Sequence, residues 1–108
     1  MLVVTRFRYE ESQAGQAQAE LGTCVAAFAE LPGYLSGSVG RAVDDPTLWV
    51  LATSWANVGA YRRALSAYDI KMHVVPLLAR ALDEPSAYEV IVGAGSVEPN
   101  EAKPRGSG

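Results

Sequence analysis

The spacing of apolar residues along the chain changes several times, and each change marks an element. Residues 2–9 combine β-branched and aromatic side chains without a breaker and predict a first strand. The spacing then turns helical: Ala14, Ala17, Leu21, Cys24, Phe28 and Leu31 recur every three or four residues, with Ser12 as the expected N-cap and Pro32-Gly33 as the stop. Gly15 and Gly22 weaken that helix by about 1 kcal/mol each against alanine. Residues 35–43 predict a second strand, loosened by Gly37 and Gly40, and residues 48–55 a third. The turn chemistry of Asp44-Asp45-Pro46 lies between them, so the pair is expected to be an antiparallel hairpin. Asn57 then caps a short helix to about residue 67. Asp69 starts another, which Pro76 interrupts and restarts. After Asp83-Glu84-Pro85, a last strand is expected over residues 87–92. Residues 93–108, GAGSVEPNEAKPRGSG, have little to bury and read as a flexible tail, which leaves residues 1–92 as the domain.

The resulting order is β-α-β-β-α-β, an α+β chain of the ferredoxin-like kind with a four-stranded antiparallel sheet and helices on one face. The other face needs cover too. On the third strand Leu48, Val50 and Ala52 alternate with Trp49, Leu51 and Thr53, so both sides are apolar. One side can take the helices, and the other most simply packs against a second subunit, so a homodimer is expected.

Composition narrows the function. A length of 108 residues is one domain with one core, and 49% hydrophobic with 19% charged residues is ordinary for a globular chain. The net charge of −3 argues against nucleic acid, since phosphate binding needs a basic face. No apolar run approaches the roughly 20 residues that cross a bilayer. The opening MLVVTRFRYEE lacks a signal peptide's apolar region, so the expectation is a cytoplasmic protein with no membrane partner. Cys24 is alone and sits in the helical apolar stripe, where it reads as a small core residue.

Candidate chemistry concentrates in residues 49–78. There a strand ends in Trp55, and the helices that follow carry Tyr61, Tyr68 and His73. His73 is the only histidine and the only side chain whose ordinary pKa is near neutral. No HExxH or paired-histidine pattern accompanies it, so a metal site built by the protein is not expected, while one histidine could still hold a haem iron. Arg6, Arg8 and Arg41 lie within strands and are expected to meet solvent or Glu10, Asp44 or Glu89. The glycines of SGSVGR precede no helix and make no nucleotide fingerprint.

The stretches LPGYLSGSVGRAVDDP, LWVLATSWANVGAYRRAL, MHVVPLL and EPSAYEV together resemble the antibiotic biosynthesis monooxygenase family, over about residues 2–92. The resemblance implies pairing as a dimeric α+β barrel and a cavity between each subunit's sheet and its own helices. It also implies oxidation of a small aromatic or polyketide-like phenol by O2 without a cofactor. In that scheme Trp55 and Tyr61 hydrogen-bond the substrate's oxygens and His73 is the candidate acid–base group. Trp49, Leu51, Phe28 and Tyr68 are expected to line the ligand's site. Leu51 stands where the quinone-forming members carry asparagine, four residues before the tryptophan. That makes a non-catalytic small-molecule-binding protein of the same fold the second reading. A third is haem binding, because His73 falls about where the haem-degrading relatives place their ligand.

Overall fold

The computed structural model describes residues 1–95. The expected order is present: β1 (Leu2–Arg8), α1 (Ala14–Ala29), β2 (Tyr34–Arg41), β3 (Leu48–Trp55), α2 (Val58–Leu65), α3 (Val75–Leu78) and β4 (Ala87–Tyr88). The strands form one antiparallel sheet in the order β2-β3-β1-β4, the ferredoxin-like arrangement. In the central pair Val3 faces Thr53, Thr5 faces Leu51 and Phe7 faces Trp49. Side chains alternate along a strand, so these residues share one side of the sheet, and all of them are buried. From above, α1 supplies Ala17, Leu21, Cys24 and Phe28 to the same core. Burial pushes the Cys24 thiol up to about 11, which keeps it protonated and unreactive as a core residue should be.

Three boundaries differ from expectation, each for a local reason. Ser12 does not cap α1. A 3-10 turn over Glu11–Gln13 comes first, and the Gln13 side-chain oxygen accepts from the Glu10 N–H at 3.0 Å. The last strand stops at Tyr88 instead of residue 92, because its ladder with β1 consists of Ala87 opposite Val3 and Tyr88 opposite Leu2. Past that point Val90, Ile91 and Val92 are 57%, 79% and 88% exposed. The helical segment after Asp69 opens as a π-helical turn, Ile70–Val74, before Pro76 enters the first turn of α3. That turn sends Ile70 and Val74 into the core and leaves Met72 and His73 outside. Most of the expected tail, residues 96–108, lies outside the described residues.

The arginines also find other partners than expected. Arg6 pairs with Glu84, Arg8 with Asp45, and Arg41 lies over the Trp49 ring at 5.3 Å. At the turn after α1, Gly33 holds φ at +88°, and a Cβ there would run into the Ala60 methyl group. Glycine is therefore required where α2 packs on this turn. No helix among the described residues is long and apolar enough to cross a membrane.

The Tyr9 hydroxyl donates to Glu20 at 2.9 Å from a buried position. Burial first, and then that carboxylate, push its pKa up from 10 to about 12. The unfolded chain therefore gives up this proton before the folded one does. The contribution is complete below pH 10 and lost as the pH rises through about 12. Thermal melts between these limits should show a stability loss that Tyr9→Phe removes; an unchanged loss in that variant would contradict the assignment.

Candidate functional site

Trp55 closes β3 at the end of the sheet nearest α2 and is fully buried. Phe28 and Tyr34 meet it edge-on, each with ring centroids 5.5 Å away, and Tyr61 lies at 5.6 Å. Its indole N–H is a donor without acceptor capacity, and it donates to the Thr53 hydroxyl at 2.9 Å. Trp55 is thus held from all sides by its own fold. Two residues on, the Asn57 side chain accepts from the Ala60 N–H at 2.8 Å and fixes the start of α2. That cap puts Tyr61 on the helix face above Trp55 and Phe28.

Tyr61 walls a cavity of about 340 Å³. Thr5 and Arg6 of β1 bound it on the sheet side, and Leu78, Ala79, Ala81 and Leu82 on the helix side. The segment 82–86 forms its rim and is tied to the edge of β1. The Val4 N–H donates to the Ser86 carbonyl at 2.7 Å and the Leu82 N–H to the Arg6 carbonyl at 2.9 Å. Across this rim the Arg6 guanidinium grips both Glu84 carboxylate oxygens at 2.7 Å. The hydrogen bonds from Arg6 hold the Glu84 carboxyl below its ordinary pKa, so both partners stay charged. Asp83 and Ser86 complete the polar side. Burial raises the Tyr61 phenol above its ordinary value, so at neutral pH it is an O–H donor. The cavity therefore combines an apolar wall with hydroxyl donors and one fixed ion pair, a suitable lining for a flat, oxygen-bearing ligand.

The other expected site residues fall in different places. Phe28 belongs to the Trp55 corner. Leu51 is 2% exposed and packs in the core directly opposite Thr5. Trp49 sits at the far end of the same face against Tyr9, and its buried indole N–H lacks a hydrogen-bond partner among the described residues. Tyr68 is 74% exposed and borders a separate, smaller space of about 230 Å³. His73 lines an open groove with Ala19, Glu20, Thr23, Pro76, Leu77 and Arg80, none of which borders the Tyr61 cavity. That groove, of about 440 Å³, carries the Arg80–Glu20 ion pair at 3.6 Å beside His73, and no second histidine, cysteine, methionine or tyrosine among the described residues lines it. No group of three or more metal-ligating side chains occurs among the described residues.

Sequence reasoning missed Thr5, the Arg6–Glu84 pair and Tyr34. The signal for Thr5 was present, since it is the one polar residue between Val3 and Phe7 on a buried face. Nothing in the sequence links Arg6 to Glu84, which are 78 positions apart.

A sequence model of the family described as antibiotic biosynthesis monooxygenase matches residues 1–74. No curated protein matches the chain. Among solved structures, a proposed antibiotic biosynthesis monooxygenase from Deinococcus radiodurans aligns with TM-score 0.70 at 17% identity, covering 89% of this chain and 98% of that one. SnoaB, a cofactor-independent oxygenase from Streptomyces nogalater, aligns with TM-score 0.59 at 23% identity, covering 88% and 93%. A variant of SnoaB aligns at 26% identity over 74% of this chain and 81% of that one, with TM-score 0.57.

Proposed function

We propose, for a chain that belongs to the antibiotic biosynthesis monooxygenase family, that it is a monooxygenase which oxidises a small aromatic phenol with O2 and needs no cofactor. The observation that carries this reading is the cavity between β1 and α3, where Thr5, Tyr61, Asp83, Ser86 and the Arg6–Glu84 pair form a largely polar lining opposite an apolar wall of Leu78, Ala79, Ala81 and Leu82. SnoaB, similar in fold, is a cofactor-independent oxygenase, which favours the same chemistry here.

In this reading the ring lies against Leu78 and Leu82, with its oxygen toward Thr5 and Tyr61. Asp83, at the rim, takes the phenolic proton. The two hydroxyl donors stabilise the phenolate, and the electron-rich anion reduces O2 directly. One oxygen atom enters the ring and the other leaves as water, so one phenol and one O2 give one quinone and one H2O. Trp55 acts as a positioning residue through the Tyr61 ring, since its own N–H is engaged by Thr53. His73, in its separate groove, takes no part in this scheme.

Oxygen uptake by chelator-treated protein with 1-naphthol and dihydroxynaphthalenes tests the proposal. Protein-dependent uptake with matching quinone formation supports it. Saturable binding with no uptake would instead support the second reading, a binding protein without turnover. That reading draws on Leu51, an apolar residue beside Thr5, and on the internally satisfied Trp55 indole.

The protein is further proposed to work as a homodimer. Leu2, Val4, Leu48, Val50 and Ala52 lie on the sheet face away from the helices, and the exposed Val90, Ile91 and Val92 extend from the sheet edge. Together they leave an apolar surface, bordered by the Arg6–Glu84 and Arg8–Asp45 pairs on the same face, that a second copy would cover. Light scattering at micromolar protein should give twice the 11.5 kDa chain mass; the mass of a single chain would refute it.

A further inference from the structure

Tyr61 borders two cavities, not one. On its other side lies a space of about 370 Å³ lined by Met1, Val58, Leu65, Ala87 and Tyr88, with Arg62 and Glu89 at the opening. The two spaces are of similar size and different character. The first is rimmed by Arg6, Asp83, Glu84 and Ser86, whereas the second is mainly apolar. Along the chain the change from one to the other takes a single step, since Ser86 lines the first and the next residue, Ala87, lines the second. At that step the backbone is fixed to β1 by the Val4–Ser86 hydrogen bond and the Val3–Ala87 pairing. On the sheet side the wall between the spaces is therefore main chain and cannot yield. On the helix side it is Tyr61, the one residue common to both linings.

We infer that the Tyr61 ring is the partition that sets the size of ligand this protein accepts. The inference rests on the reading that the first cavity holds an aromatic ligand, and it adds the limit and the residue that imposes it. A volume of about 340 Å³ is at the small end of the roughly 300–1,000 Å³ usual for ligand sites. That volume alone would hold three fused rings, so the limit is the reach before the Tyr61 ring, which suits a phenol of one or two fused rings with its oxygen in the polar compartment. A three-ring phenol is excluded because its third ring meets Tyr61. The apolar space beyond is a latent second compartment, suited to a further ring or an alkyl chain. Packing against Phe28 and Trp55, at 6.3 Å and 5.6 Å between centroids, holds the ring in place as a fixed divider.

Equilibrium binding by calorimetry with 1-naphthol and with anthrone, in anaerobic buffer, tests this without requiring turnover. Wild type should bind 1-naphthol and discriminate against anthrone. Tyr61→Ala should tighten anthrone binding at least tenfold, and Leu65→Trp added to it, which fills only the second space, should cancel that gain. Tyr61→Phe should keep the wild-type size limit, because the ring and not the hydroxyl divides the spaces. Should Tyr61→Ala fold poorly, Tyr61→Leu should give a smaller gain of the same sign. Equal binding of both probes by wild type, no gain in either truncated variant, a gain that survives Leu65→Trp, or no binding of either probe to any form would each overturn the inference. A protein that binds with this size limit but consumes no O2 would refute the oxygenase reading and leave the partition standing.

Discussion

Trp55→Ala is expected to lower the unfolding free energy by about 3–5 kcal/mol, the usual cost of emptying a buried aromatic site. Trp55 is 0% exposed, and three rings use it as a common wall, so its loss opens a void bordered by Phe28, Tyr34 and Tyr61. Each edge-on or tilted ring contact is worth about 0.5–1.5 kcal/mol beyond burial. The Thr53 hydroxyl also loses the donor it accepts from, on a strand position that is 3% exposed. A stability of about 5–15 kcal/mol is ordinary for a domain of this kind, so the variant should sit near its folding limit. Urea unfolding followed by circular dichroism measures the change. Trp55→Phe, which keeps a ring but not the N–H, should lose distinctly less. A loss below about 1 kcal/mol in the alanine variant would show that the corner collapses around the gap and does not depend on the indole.

Thr5→Val should reduce kcat by about a hundredfold while leaving the fold as stable as before. Thr5 borders the cavity, and its hydroxyl is not among the buried side-chain groups left without a partner, so it reaches the cavity's solvent-accessible space. Valine has nearly the same shape, and removing a buried hydroxyl that has no protein partner is close to neutral for stability. If that hydroxyl meets the developing oxyanion, its effect belongs to the transition state. Removing one such donor costs about 10²–10³ in kcat in well-studied cases. The loss should therefore fall on kcat with KM little changed. The Thr5→Ser variant, which keeps the donor, should recover most of the rate. Wild-type kcat in Thr5→Val would remove Thr5 from the chemistry and return attention to Tyr61. Thr5 lies directly across the strand pair from Leu51, so a polar group does occur at this level of the sheet, one strand over from the place where the resemblance led one to look.

Much of the fold was legible because it depends on short-range patterns. β3 is found over Leu48–Trp55 as read, though its alternating burial could not be read from a strand that is apolar on both sides. Asn57 caps α2 because a side-chain oxygen three residues ahead of a free N–H is a local geometry. The stripe Ala17, Leu21, Cys24 and Phe28 faces the core for the same reason. The last strand was overread, since an apolar run does not state whether a neighbouring strand extends far enough to pair with it.

The site was legible only in part. Trp55, Tyr61 and Phe28 come together, a grouping that no spacing along the chain states for Phe28, while His73 and Tyr68 face outward. His73 lies within a π-helical turn, Ile70–Val74, which changes its angular position, and no periodicity in so short a stretch reveals that.

By itself, then, the sequence determined the element order, the α+β class and the buried stripe of α1, because each follows from residue spacing along one element. Tertiary structure alone decided where the cavity lies. It joined Arg6 to Glu84, set Thr5 at the cavity wall and made Tyr61 the wall between two spaces. These depend on contacts between distant segments, and a cavity is the shape left where such segments do not meet.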